Sequence, residues 1–272
     1  MTPTQRGFYG FSRIPFTTHS TDTPWLDDER KRASDRLLHL IDRGGFAVVY
    51  GRPGCGKTRL LHHVSQQLNT NTHQSVYMPH ATLNESGMLQ TLAWQLGIEP
   101  SNSKPRNIKR IIEHLKNSRT PLLIFDELQH ASHQTMESMR LLCEASLTTT
   151  DRYPVILSGT DEFINLLGMK IYESLRQRIT LCINLAPLNT DQVPQYINHH
   201  FQQAQVMHEI ISPQAIQLIA EQTGGIPRLI EHLTRSALEI AADDNSKTVE
   251  LRHIDQAATL TFIPAKNKEI PK

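Results

Sequence analysis

Gly51-Arg52-Pro53-Gly54-Cys55-Gly56-Lys57-Thr58 decides the reading of this chain. The run fits G-x-x-x-x-G-K-[ST], and both flanks suit it. Phe46-Ala47-Val48-Val49-Tyr50 before it is apolar and β-branched, as in a buried strand. After it, Leu60, Leu61 and Val64 recur at helical spacing. Strand, glycine-rich loop and helix in that order make a phosphate cradle. Gly51, Gly54 and Gly56 let the backbone curl with its N–H groups pointing inward. The pattern leaves Cys55 unconstrained. Lys57 reaches terminal phosphates, the Thr58 hydroxyl can ligate Mg²⁺, and the helix N-terminus adds partial positive charge. The expectation is ATP bound with Mg²⁺ on Gly51, Gly54, Cys55, Gly56, Lys57 and Thr58. The competing reading is a glycine-rich turn with no ligand.

Outward from the loop, strand and helix patterns alternate. Strands are expected at 46–50, 75–78, 121–125, 155–158 and 180–184, with helices near 58–69, 86–96, 107–118, 133–148 and 161–167. That alternation predicts an α/β fold, a mostly parallel five-stranded sheet covered on both faces. From about residue 190 only helices are expected, at 190–204, 212–223, 226–242 and 251–261, forming a small helical domain. The expected organisation is an N-terminal extension (1–29), a nucleotide-binding α/β domain (30–187), a helical domain (188–262) and a flexible tail (263–272).

The second strong signal is Leu122-Leu123-Ile124-Phe125-Asp126-Glu127, an apolar strand ending in two carboxylates. In a parallel sheet such a pair sits at the carboxyl edge, beside the phosphate loop. Asp126 is expected to hold Mg²⁺ through a water, and Glu127 to polarise the attacking water. An acidic pair that merely caps the next helix is the alternative. At the end of Val155-Ile156-Leu157-Ser158-Gly159-Thr160, Thr160 is the expected water-orienting group and Ser158 the reserve. A helix cap at Thr160 or Asp161 competes with that role. In Leu175-Arg176-Gln177-Arg178-Ile179, Arg178 is preferred over Arg176 to stabilise phosphoryl charge on a neighbouring subunit's nucleotide. Gly224-Gly225-Ile226-Pro227-Arg228 is expected to end one helix and begin another, placing Arg228 to fold onto the γ-phosphate.

Composition bounds the remaining possibilities. The 28 basic and 27 acidic residues leave a formal net charge of +1, so no overall electrostatic case for nucleic acid or membrane follows. No apolar stretch approaches the roughly 18 residues of a membrane span. No hydrophobic leader follows Met1, and the three cysteines, Cys55, Cys143 and Cys182, are widely separated, which suits a reducing cytoplasm. Among the 14 histidines, the pairs His62-His63 and His199-His200 are expected on polar helix faces rather than at a metal.

With these motifs in this order, the chain resembles AAA+ ATPases over about residues 7–262. Phe46–Thr58 resembles Walker A and Leu122–Glu127 resembles Walker B. Thr160 resembles sensor 1, Arg178 the arginine finger and Arg228 the sensor 2 arginine. Phe8-Tyr9-Gly10-Phe11, followed by Pro15-Phe16, is similar to the opening of ExeA-type secretion ATPases. The same subgroup includes transposon-encoded ATPases of the TniB, TnsC and MuB kind. The resemblance implies a three-layer P-loop domain with a helical lid. It also implies ATP-driven oligomerisation, as ring or filament, on double-stranded DNA, and recruitment of a transposase. Secretion relatives usually continue into a membrane span and a cell-wall-binding domain, which tilts the expectation toward transposition. In ExeA-type proteins a Gln often stands at the place of Thr160. The rival functions are a secretion-type ATPase acting on protein partners without DNA, a replication loader or initiator, and a small-molecule P-loop kinase.

Local charge offers one DNA candidate. Lys104, Arg106, Lys109, Arg110, Lys116 and Arg119 cluster near a Ser/Asn/Pro-rich stretch, with Lys104 and Arg106 expected in a loop. Such residues would contact phosphates and bind without sequence preference. A solvated helix face is the alternative.

Overall fold

The computed structural model describes residues 1–17, 23–79, 84–117, 120–147 and 153–261. Arg119 and the tail at 263–272 lie outside them. The described chain runs α1 (Pro3–Tyr9), α2 (Asp28–Arg43), β1 (Phe46–Tyr50), α3 (Lys57–Gln67), β2 (His73–Met78), α4 (Glu85–Gln95) and α5 (Lys104–Asn117). It continues through β3 (Thr120–Phe125), α6 (His133–Leu147), β4 (Val155–Gly159), α7 (Asp161–Leu167), α8 (Glu173–Arg176) and β5 (Ile179–Asn184). Four helices follow: α9 (Gln192–Gln203), α10 (Pro213–Thr223), α11 (Pro227–Asp243) and α12 (Leu251–Leu260).

Two compact units emerge. The first to be considered comprises Asp28–Pro53 and Lys57–Leu185. Its five strands are all parallel in the order β2-β3-β4-β1-β5. Strand side chains alternate in direction, and β1, β3 and β4 bury residues on both faces. Val48, Val76, Leu123, Phe125, Val155 and Leu157 join one cluster with Leu89 and Leu92 of α4, Ile111 of α5 and Met139 of α6. The intervening residues Ala47, Val49, Leu122, Ile124 and Ile156 are buried as well. Burial on both faces is what near-continuous apolar strands require. The order matters for chemistry, because β4 lies between β1, which leads into the phosphate loop, and β3, which ends in the acidic pair.

The second unit is helical and gathers Met1–Asp27, Gly54–Gly56 and Ala186–Lys272. The N-terminal aromatics belong to its core: Tyr9, Phe11 and Phe16 cluster with Val193, Ile197, Phe201, Leu233 and Leu238. The Tyr9 hydroxyl donates to the Leu238 carbonyl at 3.0 Å, and burial pushes its pKa up to about 12, with Asp243 adding to the rise. His200 departs from its expected polar face and is buried beside Phe16, with ring centroids 4.9 Å apart. The spacing Val193, Tyr196, Ile197, His200, Phe201 places it on the apolar stripe of α9.

Lys104 and Arg106 were expected in a loop, but the structure puts them in the first turn of α5. The helix starts earlier because Pro105 in its opening turn needs no N–H partner and the Asn107 N–H already bonds the Ser103 carbonyl at 3.0 Å.

One connection in the helical unit has no steric freedom. α10 ends at Gly224 in the left-handed region, and Gly225 follows at φ 73°. A Cβ on Gly225 would lie 1.9 Å from the Leu188 carbonyl oxygen. The Leu188 N–H donates to the Gly225 carbonyl at 2.8 Å, so that approach is part of the fold. Gly225→Ala should destabilise the protein by at least about 2 kcal/mol, since backbone strain and overlap combine. Urea unfolding checks this, and a loss under about 0.5 kcal/mol, the ordinary surface range, would contradict the contact.

Candidate active site

The phosphate loop leaves β1 through Gly51 at φ 151°, where a Cβ would lie 2.4 Å from the Leu185 carbonyl oxygen. Its tip, Gly54–Gly56, groups with the helical unit. Gly54 and Gly56 take φ values of 84° and 93°, conformations that glycine adopts readily. The Arg228 N–H donates to the Gly54 carbonyl at 3.3 Å. A Cβ on Gly54 would come within 2.9 Å of the Arg228 Cβ. Cys55 is fully buried, so an alkylating reagent would reach it only after the loop opens.

Lys57, the first residue of α3, is 5% exposed. Its Nζ donates to the carbonyls of Gly51 at 2.9 Å and Arg52 at 3.4 Å. No carboxylate pairs with it among the described residues. A buried ammonium satisfied only by carbonyls leaves its charge uncompensated, which is costly unless an anion arrives. The residues therefore fit a phosphate chain.

Asp126, just past β3, is buried as well. Thr58 Oγ1 donates to its Oδ2 at 2.7 Å and the Tyr77 hydroxyl donates to the same oxygen at 2.6 Å. The Glu127 N–H donates to Oδ1 at 2.9 Å. Burial alone would raise this carboxyl, but hydrogen bonds from Tyr77, Thr58 and the Glu127 backbone, with the Ser158 hydroxyl close by, outweigh it and hold the pKa below the usual range. The Ser158 hydroxyl acts by proximity, since it makes no hydrogen bond of ordinary geometry. Tyr77 is driven upward, by burial first and then by its bond to Asp126. A Thr58–Asp126 pair with an anionic carboxylate is a donor set suited to Mg²⁺.

Glu127 follows at φ 57° and ψ 39° and opens a short 3₁₀ turn, Leu128–His130. Gln129 in that turn donates from Nε2 to Glu127 Oε2 at 2.5 Å. At the tip of β4, Ser158 and Thr160 are buried, and neither hydroxyl has a hydrogen-bond partner among the described residues. Thr160 caps α7 by position, without a side-chain hydrogen bond. Orphaned buried hydroxyls are rare and mark a place where a ligand or water completes the bonding.

The arginines divide. Arg178 Nη1 donates to the backbone carbonyl and hydroxyl of Ser174. Arg176 Nη1 donates to the Leu167 and Gly168 carbonyls at 2.9 and 3.0 Å, closing the end of α7. The Arg228 side chain, in the first turn of α11, is exposed. The Lys104 side chain pairs with Glu85, whereas Arg106 is exposed with no ion pair among the described residues. No cluster of three or more His, Cys, Asp or Glu residues suited to a metal occurs among the described residues.

Sequence reasoning passed over Tyr77 and Gln129. Tyr77 reads as one more aromatic in a strand, and only the parallel register, Tyr77 level with Ile124, brings its hydroxyl to Asp126. Gln129 reads as a polar residue after an acidic pair, and the left-handed turn at Glu127 is what folds it back.

Residues 40–167 match the AAA domain family. The chain is 29% identical to General secretion pathway protein A of Aeromonas hydrophila over 261 residues, 92% of this chain and 47% of that protein. It therefore spans about half the length of that relative. Over 102 residues it is 28% identical to the Mu-like prophage FluMu DNA transposition protein B of Haemophilus influenzae, covering 36% of this chain and 34% of that protein. Among solved structures, Cdc6p from Pyrobaculum aerophilum superposes with a TM-score of 0.73 at 18% identity, covering 94% of this chain and 70% of that one. The similarity is thus to an AAA domain over residues 40–167, on a fold shared with that solved structure. No helix among the described residues is long and apolar enough to cross a membrane.

The Tyr77–Asp126 bond yields a pH-dependent expectation. A carboxyl held low in the folded state stabilises the protein above its unfolded pKa, near 3.9. That contribution is lost as pH falls through the folded value. Tyr77→Phe should cost about 1 kcal/mol at pH 7, with the gap to wild type narrowing near pH 3. Urea unfolding at both pH values checks this. A gap of equal size at each would mean that the hydroxyl acts through packing alone.

Proposed function

We propose that this chain binds ATP with Mg²⁺, oligomerises on double-stranded DNA in that state, recruits a partner protein such as a transposase, and dismantles the assembly by hydrolysis. The observation that carries the nucleotide half is Lys57: a buried cation with no carboxylate partner among the described residues, next to a Thr58–Asp126 pair. Lys57 and the inward N–H groups of the loop neutralise the phosphates. Thr58, and Asp126 through a water, would hold the metal, which would supply charge neutralisation at the phosphates. Glu127 accepts the proton of the attacking water. Thr160, with Ser158 behind it, orients that water. Arg178 leaves Ser174 to reach the nucleotide of a neighbouring subunit, and Arg228 stabilises the γ-phosphate.

The DNA half is supported by the similarity to a DNA transposition protein. It is also supported by the basic face of α5, where Lys104, Arg106, Lys109, Arg110 and Lys116 are all exposed. A second reading, a secretion-type ATPase acting on protein partners without DNA, is favoured by the length of the match to General secretion pathway protein A.

Duplex-DNA binding with ATP, ADP or no nucleotide, at two salt concentrations, separates the two. The DNA reading expects ATP-dependent binding that weakens with salt and persists in Glu127→Gln, whose hydrolysis should fall at least about 100-fold. Intact ATP binding with no DNA affinity in any state would leave the secretion-type reading. Lys104→Ala combined with Arg106→Ala should weaken DNA binding, lower the log–log salt slope by about two and leave ATP affinity unchanged. An unaltered slope would remove α5 from the DNA contact.

A further inference from the structure

Gln129 joins two parts of the site that the sheet alone does not connect. Its Nε2 donates to Glu127 Oε2 at 2.5 Å, and its Oε1 accepts the Thr160 N–H at 3.2 Å. The two ends fix the amide's orientation without ambiguity. A carboxylate only accepts and a backbone N–H only donates, so nitrogen must face Glu127 and oxygen must face Thr160. Glutamate has the same reach but offers no donor to Glu127. Methionine offers neither group, and asparagine is one methylene shorter.

The backbone is bent to make this contact. Glu127 is one of four non-glycine residues with positive φ among those described. Such a conformation is uncommon for a non-glycine residue and persists where its surroundings hold it. Here the bend turns the chain straight from β3 into the Leu128–His130 turn and folds Gln129 back over the residue that precedes it by two. Leu128, buried in the main core, anchors the turn. Oε1 of Glu127 makes no hydrogen bond among the described residues, so the carboxylate is gripped by one oxygen and presents the other.

We propose that Gln129 is a positioning residue: it sets the direction of the Glu127 carboxylate and ties it to the β4 tip, where the orphaned Ser158 and Thr160 hydroxyls lie. A displacement of Thr160 by a bound phosphate or water is thereby transmitted to the base through one amide group. The role rests on the hydrolysis reading above, with Glu127 as base, and it assigns Gln129 no contact with the nucleotide.

The test compares Gln129→Met, Gln129→Glu and Gln129→Asn with wild type and Glu127→Gln, reading kcat, KM and direct ATP binding. Misdirecting a base without removing it costs roughly 10- to 100-fold. Gln129→Met and Gln129→Glu should lose that much in kcat, while KM and ATP affinity stay within about two-fold. Gln129→Asn should recover part of the loss. Hydrogen exchange at the Thr160 amide reads the bridge independently of catalysis and should quicken at least about ten-fold in Gln129→Met. A kcat within two-fold of wild type in all three variants would overturn the proposal. So would a parallel loss of ATP binding, which marks a merely structural residue, or an unchanged Thr160 amide. If wild type and Glu127→Gln are equally inactive while Thr160 exchange responds to Gln129→Met, the hydrolysis reading fails and the bridge stands.

Discussion

The Asp126 carboxylate is the constraint on which the α/β unit is organised. A buried anion is tolerated only where donors surround it. Here the hydrogen bonds come from three directions, Thr58 at the start of α3, Tyr77 near the end of β2 and the Glu127 N–H after β3 itself, while the Ser158 hydroxyl near the end of β4 lies close by. Each donor is delivered by an element whose own register is set by apolar packing. The sheet order places β3 between β2 and β4, so one carboxylate can be reached from both neighbours. The same arrangement that satisfies Asp126 brings the phosphate loop's helix and the acidic pair to one edge of the sheet.

Lys57 presents the opposite problem at the same edge. Its ammonium is buried against two carbonyls, which solvate a cation without cancelling its charge. The site therefore holds a compensated anion and an uncompensated cation, the lysine adjoining the Thr58 that donates to Asp126, with hydroxyls unbonded among the described residues at the end of β4. An arrangement of this kind favours a polyanion that carries its own counter-ion. Gln129 adds a tie, since one amide bonds both Glu127 and the Thr160 N–H at the β4 tip.

The helical unit is governed by contacts of the backbone. Gly225 lets a helix connection approach Leu188 more closely than any side chain would permit, and Gly54 does the same for Arg228. The N-terminal aromatics fill the core of this unit, so residues that precede the α/β unit in the chain serve the helices that follow it.

The five strands, helices α3–α7 and α9–α12, and the two motifs at the strand ends were legible in the sequence, whereas α1, α2 and α8 were not read there. Each rests on local chemistry: apolar periodicity, glycine spacing, and carboxylates or a lysine and threonine at fixed offsets from a strand. Helix capping likewise announced the turn at Gly224–Pro227. What the sequence could not reveal is whatever depends on which strands become neighbours. Tyr77 gains its role only because β2 pairs with β3, and Gln129 only because a left-handed residue turns it toward β4. His200 and Lys104 show the same limit in reverse, since a buried stripe and an early helix start overruled the polar character of the local sequence. Local patterns determine elements because their energies are short-ranged. Partners across the sheet are decided by packing among residues distant in the chain, and that information exists only in the tertiary structure.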